Sequence, residues 1–203
     1  MKQTPLAVFL GATLMWGAVC AAQDAQKQDP GQMMATMMQL AQPGEGHKIF
    51  ADAVGTWSYK VKWWMSPDAP PMESSGTMKT RSVMDGRYFI SEHQGKMSMP
   101  GADGKMMDMS FQGMGTEGYD NAKKKYVASW IDNMGTGIML MEGTYDPAAK
   151  TLTYTGEEEP MPGMKMKIKQ VVKIGDKDHR SIEFFEMHGD QEVKTMEISY
   201  NRA

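Results

Sequence analysis

Apolar side chains recur along this chain at two spacings, and the switch from one to the other divides it. From Met33 to Ala41 the spacing is helical. Met33, Met34, Met37, Met38 and Ala41 gather on one side, with Gln32, Thr36 and Gln39 on the other. Asp29 suits the N-cap of that helix and Pro30 its first turn, while Pro43-Gly44 ends it. A second short helix is expected from His47 to Val54, with Ile49, Phe50 and Ala53 inward. From Gly55 onward the period is two. Within Gly55–Met65, the residues Trp57, Tyr59, Val61, Trp63 and Met65 share one face. Ser58, Lys60 and Lys62 share the other, and Trp64 breaks the pattern. This strand has one wet face and one large aromatic face able to seed a core.

Further strands are predicted at Glu73–Met84, Arg87–Gly95, Met107–Tyr119, Lys125–Asp132, Ile138–Tyr145, Lys150–Glu157, Met164–Ile174, Arg180–His188 and Glu192–Tyr200. Short turns join them: Asp85-Gly86, Asp120-Asn121, Gly135-Thr136-Gly137, Asp146-Pro147, Gly175-Asp176 and Gly189-Asp190. Longer loops are expected at Ser66–Pro71, at Pro100–Gly104, and around Pro160 and Pro162-Gly163. Gly113, Gly115 and Gly118 are expected to kink the fourth strand. The fold class is therefore all-β, with a short N-terminal helical segment. About ten long strands in an antiparallel up-and-down meander favour closure into one barrel, because closure removes the exposed edges. The eighth strand shows the alternation a barrel wall needs. Met164, Met166, Ile168, Val172 and Ile174 share one face, and Lys165, Lys167, Lys169 and Lys173 form a solvated outer one.

The first 22 residues change the picture of the compartment. Lys2 precedes an apolar run from Pro5 to Val19, too short for a membrane span, and Val19-Cys20-Ala21-Ala22 offers small residues for cleavage. Residues 1–22 are read as a signal peptide, 23–30 as a flexible leader, and 31–203 as the barrel domain. Export to the periplasm or medium follows. Val19 stands where a lipoprotein signal wants Gly, Ala or Ser, which argues against lipid anchoring at Cys20. Cleavage there leaves no cysteine, so the exported domain holds without disulfides. It also leaves 21 basic against 25 acidic residues, a net charge of −4 that disfavours nucleic acid and anionic membranes as partners. No later stretch has the length and hydropathy of a membrane span.

Gly55-Thr56-Trp57 at the first strand and Tyr200-Asn201-Arg202 at the last are similar to the pattern of lipocalin-like barrels. There a Gly-x-Trp opens the barrel and a basic side chain from its end stacks over the Trp, which implies Arg202 over Trp57. Pro43-Gly44, His47-Lys48, Glu73–Thr77, Asp85–Tyr88, Gly118–Asn121, Trp130–Asp132 and Met141–Asp146 together resemble the bacterial family of domain of unknown function 1579. The resemblance covers about residues 33–202. It implies a lipocalin-like fold and supplies no catalytic residues.

Candidate chemistry is sparse. A closed barrel of this size leaves an interior that side chains do not fill, and a lining of Met and aromatics favours a small apolar or amphipathic ligand. The expected lining is Trp57, Tyr59, Trp63, Trp130, Met139, Met141, Met164, Met166 and Phe184. His93 joins it as a polar group if its face is inward. Methionine is the compositional anomaly, at 24 residues. Its bland role is to fill irregular cores and adaptable cavities. Met97, Met99, Met106, Met107 and Met109 lie in or beside a loop, where a core role is harder to assign. Soft thioethers suit Cu(I), so copper handling through these five is the alternative reading, and oxidant scavenging a third.

No His-x-His or Glu-x-x-x-His spacing supports a preformed zinc site, and His188 sits at a strand end beside Gly189-Asp190. Glu92, Asp132 and Glu142 lie within strands, so Glu142–Asp132 or His93–Glu92 could pair inside a barrel for acid–base work; outward placement is the bland alternative. A nucleophile elbow and a phosphate-cradling glycine loop are both absent, and the chain is read as a binding protein rather than an enzyme.

Overall fold

The computed structural model describes residues 29–101 and 103–203. The proposed signal peptide and most of the leader lie outside the described residues. The chain divides into Met1–Gln39 and Leu40–Ala203. In the first unit α1 (Pro30–Leu40) forms as the helical spacing predicts. Asp29 caps it, accepting the Gly31 N–H on Oδ1 at 3.0 Å. Met33, Met34, Met37 and Met38 are exposed.

The second unit holds ten antiparallel strands: β1 (Gly55–Trp63), β2 (Met72–Val83), β3 (Tyr88–Pro100), β4 (Met106–Asp120), β5 (Lys125–Asp132), β6 (Met139–Asp146), β7 (Thr151–Met161), β8 (Met164–Ile174), β9 (His179–His188) and β10 (Gln191–Arg202). Each pairs with the next, and β10 returns to pair with β1, closing the barrel. The closing register sets Trp57 opposite Arg202, Tyr59 opposite Tyr200 and Trp63 opposite Met196.

The strand pattern corrects several expectations. The second helix is shorter: α2 (Glu45–Lys48) is followed by a single 3-10 turn at Ala51–Ala53. β1 ends at Trp63, leaving Met65 exposed. The Asp85-Gly86 turn is a 3-10 turn over Met84–Gly86, with Met84 and Asp85 at positive φ. β7 runs on through Pro160 to Met161. The methionines from 97 to 109 are not loop residues: β3 reaches Pro100, β4 starts at Met106, and the two pair without a break. β4 also runs across its glycines without a break in register with β3 or β5. Gly113 and Gly115 face inward and make room for the Trp130 ring; a Cβ on Gly113 would stand 2.4 Å from it.

The end of the barrel nearest α2 is plugged. Phe50, Phe89, Tyr126, Leu152, Tyr154 and Val172 pack there in one core cluster, and Trp57, Tyr59, Met78 and Tyr200 in another. Trp57 is fully buried, and its indole N–H donates to the Ala53 carbonyl at 2.8 Å. Arg202 stacks over it with the guanidinium carbon 4.3 Å from the ring centre. The same guanidinium donates to the carbonyls of Asp52 (2.7 Å), Val54 (3.0 Å) and Lys177 (2.8 Å), tying the last strand to the segment before the first. Gly55 has φ 135°, and a Cβ there would come within 2.7 Å of that guanidinium, so the close approach requires glycine.

Candidate functional site

Strand register assigns every side chain to the inner or outer wall, because directly opposite residues share a face. Trp57, Tyr59, Trp63, His93, Trp130, Met139, Met141, Met164, Met166 and Phe184 all fall on the inner face. Burial then splits them. Trp57, Tyr59, His93 and Met141 are 0%, 4%, 7% and 6% exposed, so they are packing, and solvent does not reach them. Their expected role as lining is corrected to that of a floor. Trp63, Trp130, Met139, Met166 and Phe184 are inward yet half-buried, and Met164 is 46% exposed. Inward side chains that solvent touches mean that the far half of the barrel is open.

The floor is a polar-aromatic cluster. His93 Nε2 lies 3.3 Å from the Tyr200 hydroxyl, and its ring sits edge-on to Trp130 with centres 5.0 Å apart. Burial lowers the His93 pKa to about 4, so the ring is neutral at pH 7. Burial also raises the Tyr59 and Tyr200 hydroxyls. Deeper still, the Tyr154 hydroxyl donates to Glu117 Oε1 at 3.0 Å. Burial raises the Glu117 carboxyl, while Tyr154 and the charge of Arg180 act against that rise. Arg180 lies with its guanidinium carbon 5.5 Å from the Trp57 ring centre, and its Nε and Nη2 have no hydrogen-bond partner among the described residues.

The expected carboxylate pairs do not form. Glu142 points out and bonds Lys123 at 2.6 Å; Glu92 points out beside Arg81 at 3.7 Å. Of the three acids singled out in the sequence, only Asp132 is inward, where its Oδ2 accepts the Trp130 indole N–H at 2.8 Å. Two unexpected acids join it on the inner wall. Glu158 lies opposite inward Met166, and Glu186 opposite inward Ile168. Burial raises the Glu158 carboxyl, and the charges of Glu186 and Asp132 raise it further, which places all three within electrostatic reach. Gln170, opposite Phe184, is 7% exposed, and its Oε1 has no partner.

Among the described residues no group of three or more His, Cys, Asp or Glu is disposed to hold a metal ion. Of the five methionines considered for copper, Met97, Met99, Met107 and Met109 continue the inward face, while Met106, opposite Pro100, belongs to the outer one. His188 is exposed, 3.3 Å from Glu186, as a strand-end histidine should be. Two open grooves of about 330 and 320 Å³ lie elsewhere. One is at the lip around Trp64, Pro67 and Lys194, and one is beside α2 around Pro43, His47 and Phe89.

Glu117, Arg180 and Gln170 were missed in the sequence, although each shares strand parity with a residue already noted: Gly115, Phe184 and Ile168. Parity was the usable signal; a polar type amid apolar neighbours concealed it.

No curated protein matches the chain. Among solved structures, the crystal structure of Rv2717c from M. tuberculosis is similar in fold, with a TM-score of 0.55 at 14% identity, covering 80% of this chain and 99% of that one. The model of the family described as "Protein of unknown function (DUF1579)" matches residues 42–202, through β10 and the Gly-x-Trp strand it closes on, and the chain belongs to that family.

Proposed function

We propose that the open half of the barrel binds a small apolar or amphipathic molecule, and that the protein does so outside the cytoplasm once residues 1–22 are removed. One observation carries the reading: Trp63, Trp130, Met139, Met164, Met166 and Phe184 face inward and yet are reached by solvent. Leaving such a surface wet costs free energy on the order of 25 cal/mol per Å², which a greasy guest recovers. Asp132, Glu158 and Glu186 share that face. They favour a guest whose polar end is a cation or a hydrogen-bond donor. Binding rather than catalysis is the reading: His93–Tyr200 and Glu117–Tyr154 belong to the packed half, and in the open half Asp132 is engaged by the Trp130 indole N–H while Glu186 lies 3.3 Å from the exposed strand-end His188.

Tryptophan fluorescence titration with dodecylamine and with dodecanoate tests it. Saturable quenching by the amine, weaker for the carboxylate and lost in Trp63→Leu, is the expected result. No saturable change with either amphiphile sinks the reading.

A further inference from the structure

The β3–β4 ribbon carries four thioethers that neither the core nor the amphiphile site uses. β2 stops pairing with β3 at Ser75 and Lys96, and β5 stops pairing with β4 at Asp132 and Gly113. β3 and β4 continue together to Pro100 and Met106. The ribbon is steadied at its base by Asn133, whose Oδ1 accepts the Gln112 N–H at 2.9 Å and whose Nδ2 donates to the Ser110 carbonyl at 2.8 Å.

Period two carries the inward face of His93 up to Met97 and Met99, and that of Gly113 up through Phe111 to Met109 and Met107. Met97 lies opposite Met109, and Met99 opposite Met107. Directly opposite side chains start from Cβ atoms about 5 Å apart and diagonal ones from about 7–8 Å. Four long side chains therefore share one small patch. Phe111 bounds it below, stacked on Trp130 with ring centres 6.4 Å apart.

Core packing does not account for this patch. Met107 and Met109 are 55% and 39% exposed, and Met97 and Met99 are only partly buried. What the four share is a neutral, soft sulfur donor. Soft thioethers select Cu(I), whereas Cu(II) prefers nitrogen and oxygen ligands and hard cations prefer oxygen.

We propose that Met97, Met99, Met107 and Met109 bind one Cu(I) ion on the inner face of the ribbon. In the free protein the Met107 sulfur rests against Gly101, 2.8 Å from where a Cβ would stand. Rotation about the bonds of its unbranched side chain turns it toward the other three.

The test offers Cu(I), held by a chromogenic chelator without oxygen, to the chain carrying Cys20→Ser, which removes its one thiol. One equivalent is expected to transfer. Met97→Leu with Met109→Leu weakens the transfer about tenfold or more. Met114→Leu with Met187→Leu, both on the outer wall, leaves it unchanged. Leucine keeps the volume of methionine, so circular dichroism of all variants matches the parent. X-ray absorption of the loaded protein shows sulfur neighbours only. Absence of transfer, equal weakening in the outer-wall pair, or no weakening in the ribbon pair overturns the proposal.

Discussion

Toward α2 the largest inward side chains, Trp57, Leu152 and Tyr154, are dry; toward the β3–β4 ribbon the inward Trp63, Trp130 and Phe184 are wet. The strands run through both halves and, apart from register shifts in β7 at Glu158/Met161 and in β10 at Lys194/Met196, alternate in the same way, so secondary structure does not by itself account for the difference. It comes from what closes each end. Phe50, Ala53 and the Arg202 guanidinium plug one mouth, and every aromatic beneath them becomes packing. Among the described residues no such plug covers Trp63, Trp130 or Phe184, which are only half-buried. Two tryptophans on one strand, Trp57 and Trp63, thus have opposite tasks. The lesson is that inward orientation alone does not make a binding residue; access decides.

The contrast is broken most directly by truncating each tryptophan in turn. Trp57→Ala removes a fully buried side chain that both Arg180 and Arg202 approach, and is expected to cost about 3–5 kcal/mol in denaturant unfolding. Trp63→Ala is expected to cost markedly less while abolishing amphiphile binding. Equal losses of stability would erase the distinction between the halves.

A smaller effect comes from the floor. His93 is held neutral, its pKa lowered from 6.5 to about 4 by burial. The unfolded chain takes up a proton on this residue below its ordinary pKa, while the folded protein does not until about pH 4. Stability is therefore lost as pH falls from about 6.5 toward 4, by about 3 kcal/mol over the whole window. Glu117, whose carboxyl burial raises, works in the opposite sense, its contribution to stability falling as pH rises. Comparing unfolding of the parent and His93→Leu across this range isolates the histidine: the variant curve should lack that fall. Parallel curves would contradict a buried neutral His93.

The smallest expected effect sharpens the wall assignment. Glu158→Gln should weaken binding of dodecylamine, because the carboxylate is inward; Glu142→Gln, outward against Lys123, should leave the titration as it was. A matching loss in both would mean that net charge, and not the inner face, governs the guest.

Much of the fold was legible because strand alternation and turn chemistry are local. β5 and β8 appear with the bounds their patterns predict. Arg202 over Trp57 was legible from the pattern of lipocalin-like barrels. The errors are equally physical. Gly113 and Gly115 read as a kink because glycine weakens a lone strand, yet the Trp130 ring fills the space their missing side chains leave. Pro100 read as the start of a loop because the pairing that extends β3 past Gly95 comes from β4; Gly101 does lie outside β3. Glu142 and Glu92 stand on the outer wall, the default reading for strand acids, whereas Asp132 departs from it.

What the sequence alone determined is the alternation, the turns and the closing pair at Trp57 and Arg202, because these depend on neighbours a few residues apart or on a single motif. The tertiary structure decided which inward residues are dry, that Glu158, Glu186 and Asp132 face one another's charge, and that four methionines share one face of a ribbon. Those facts depend on register between strands and on what plugs each mouth, and neither is encoded in any single strand.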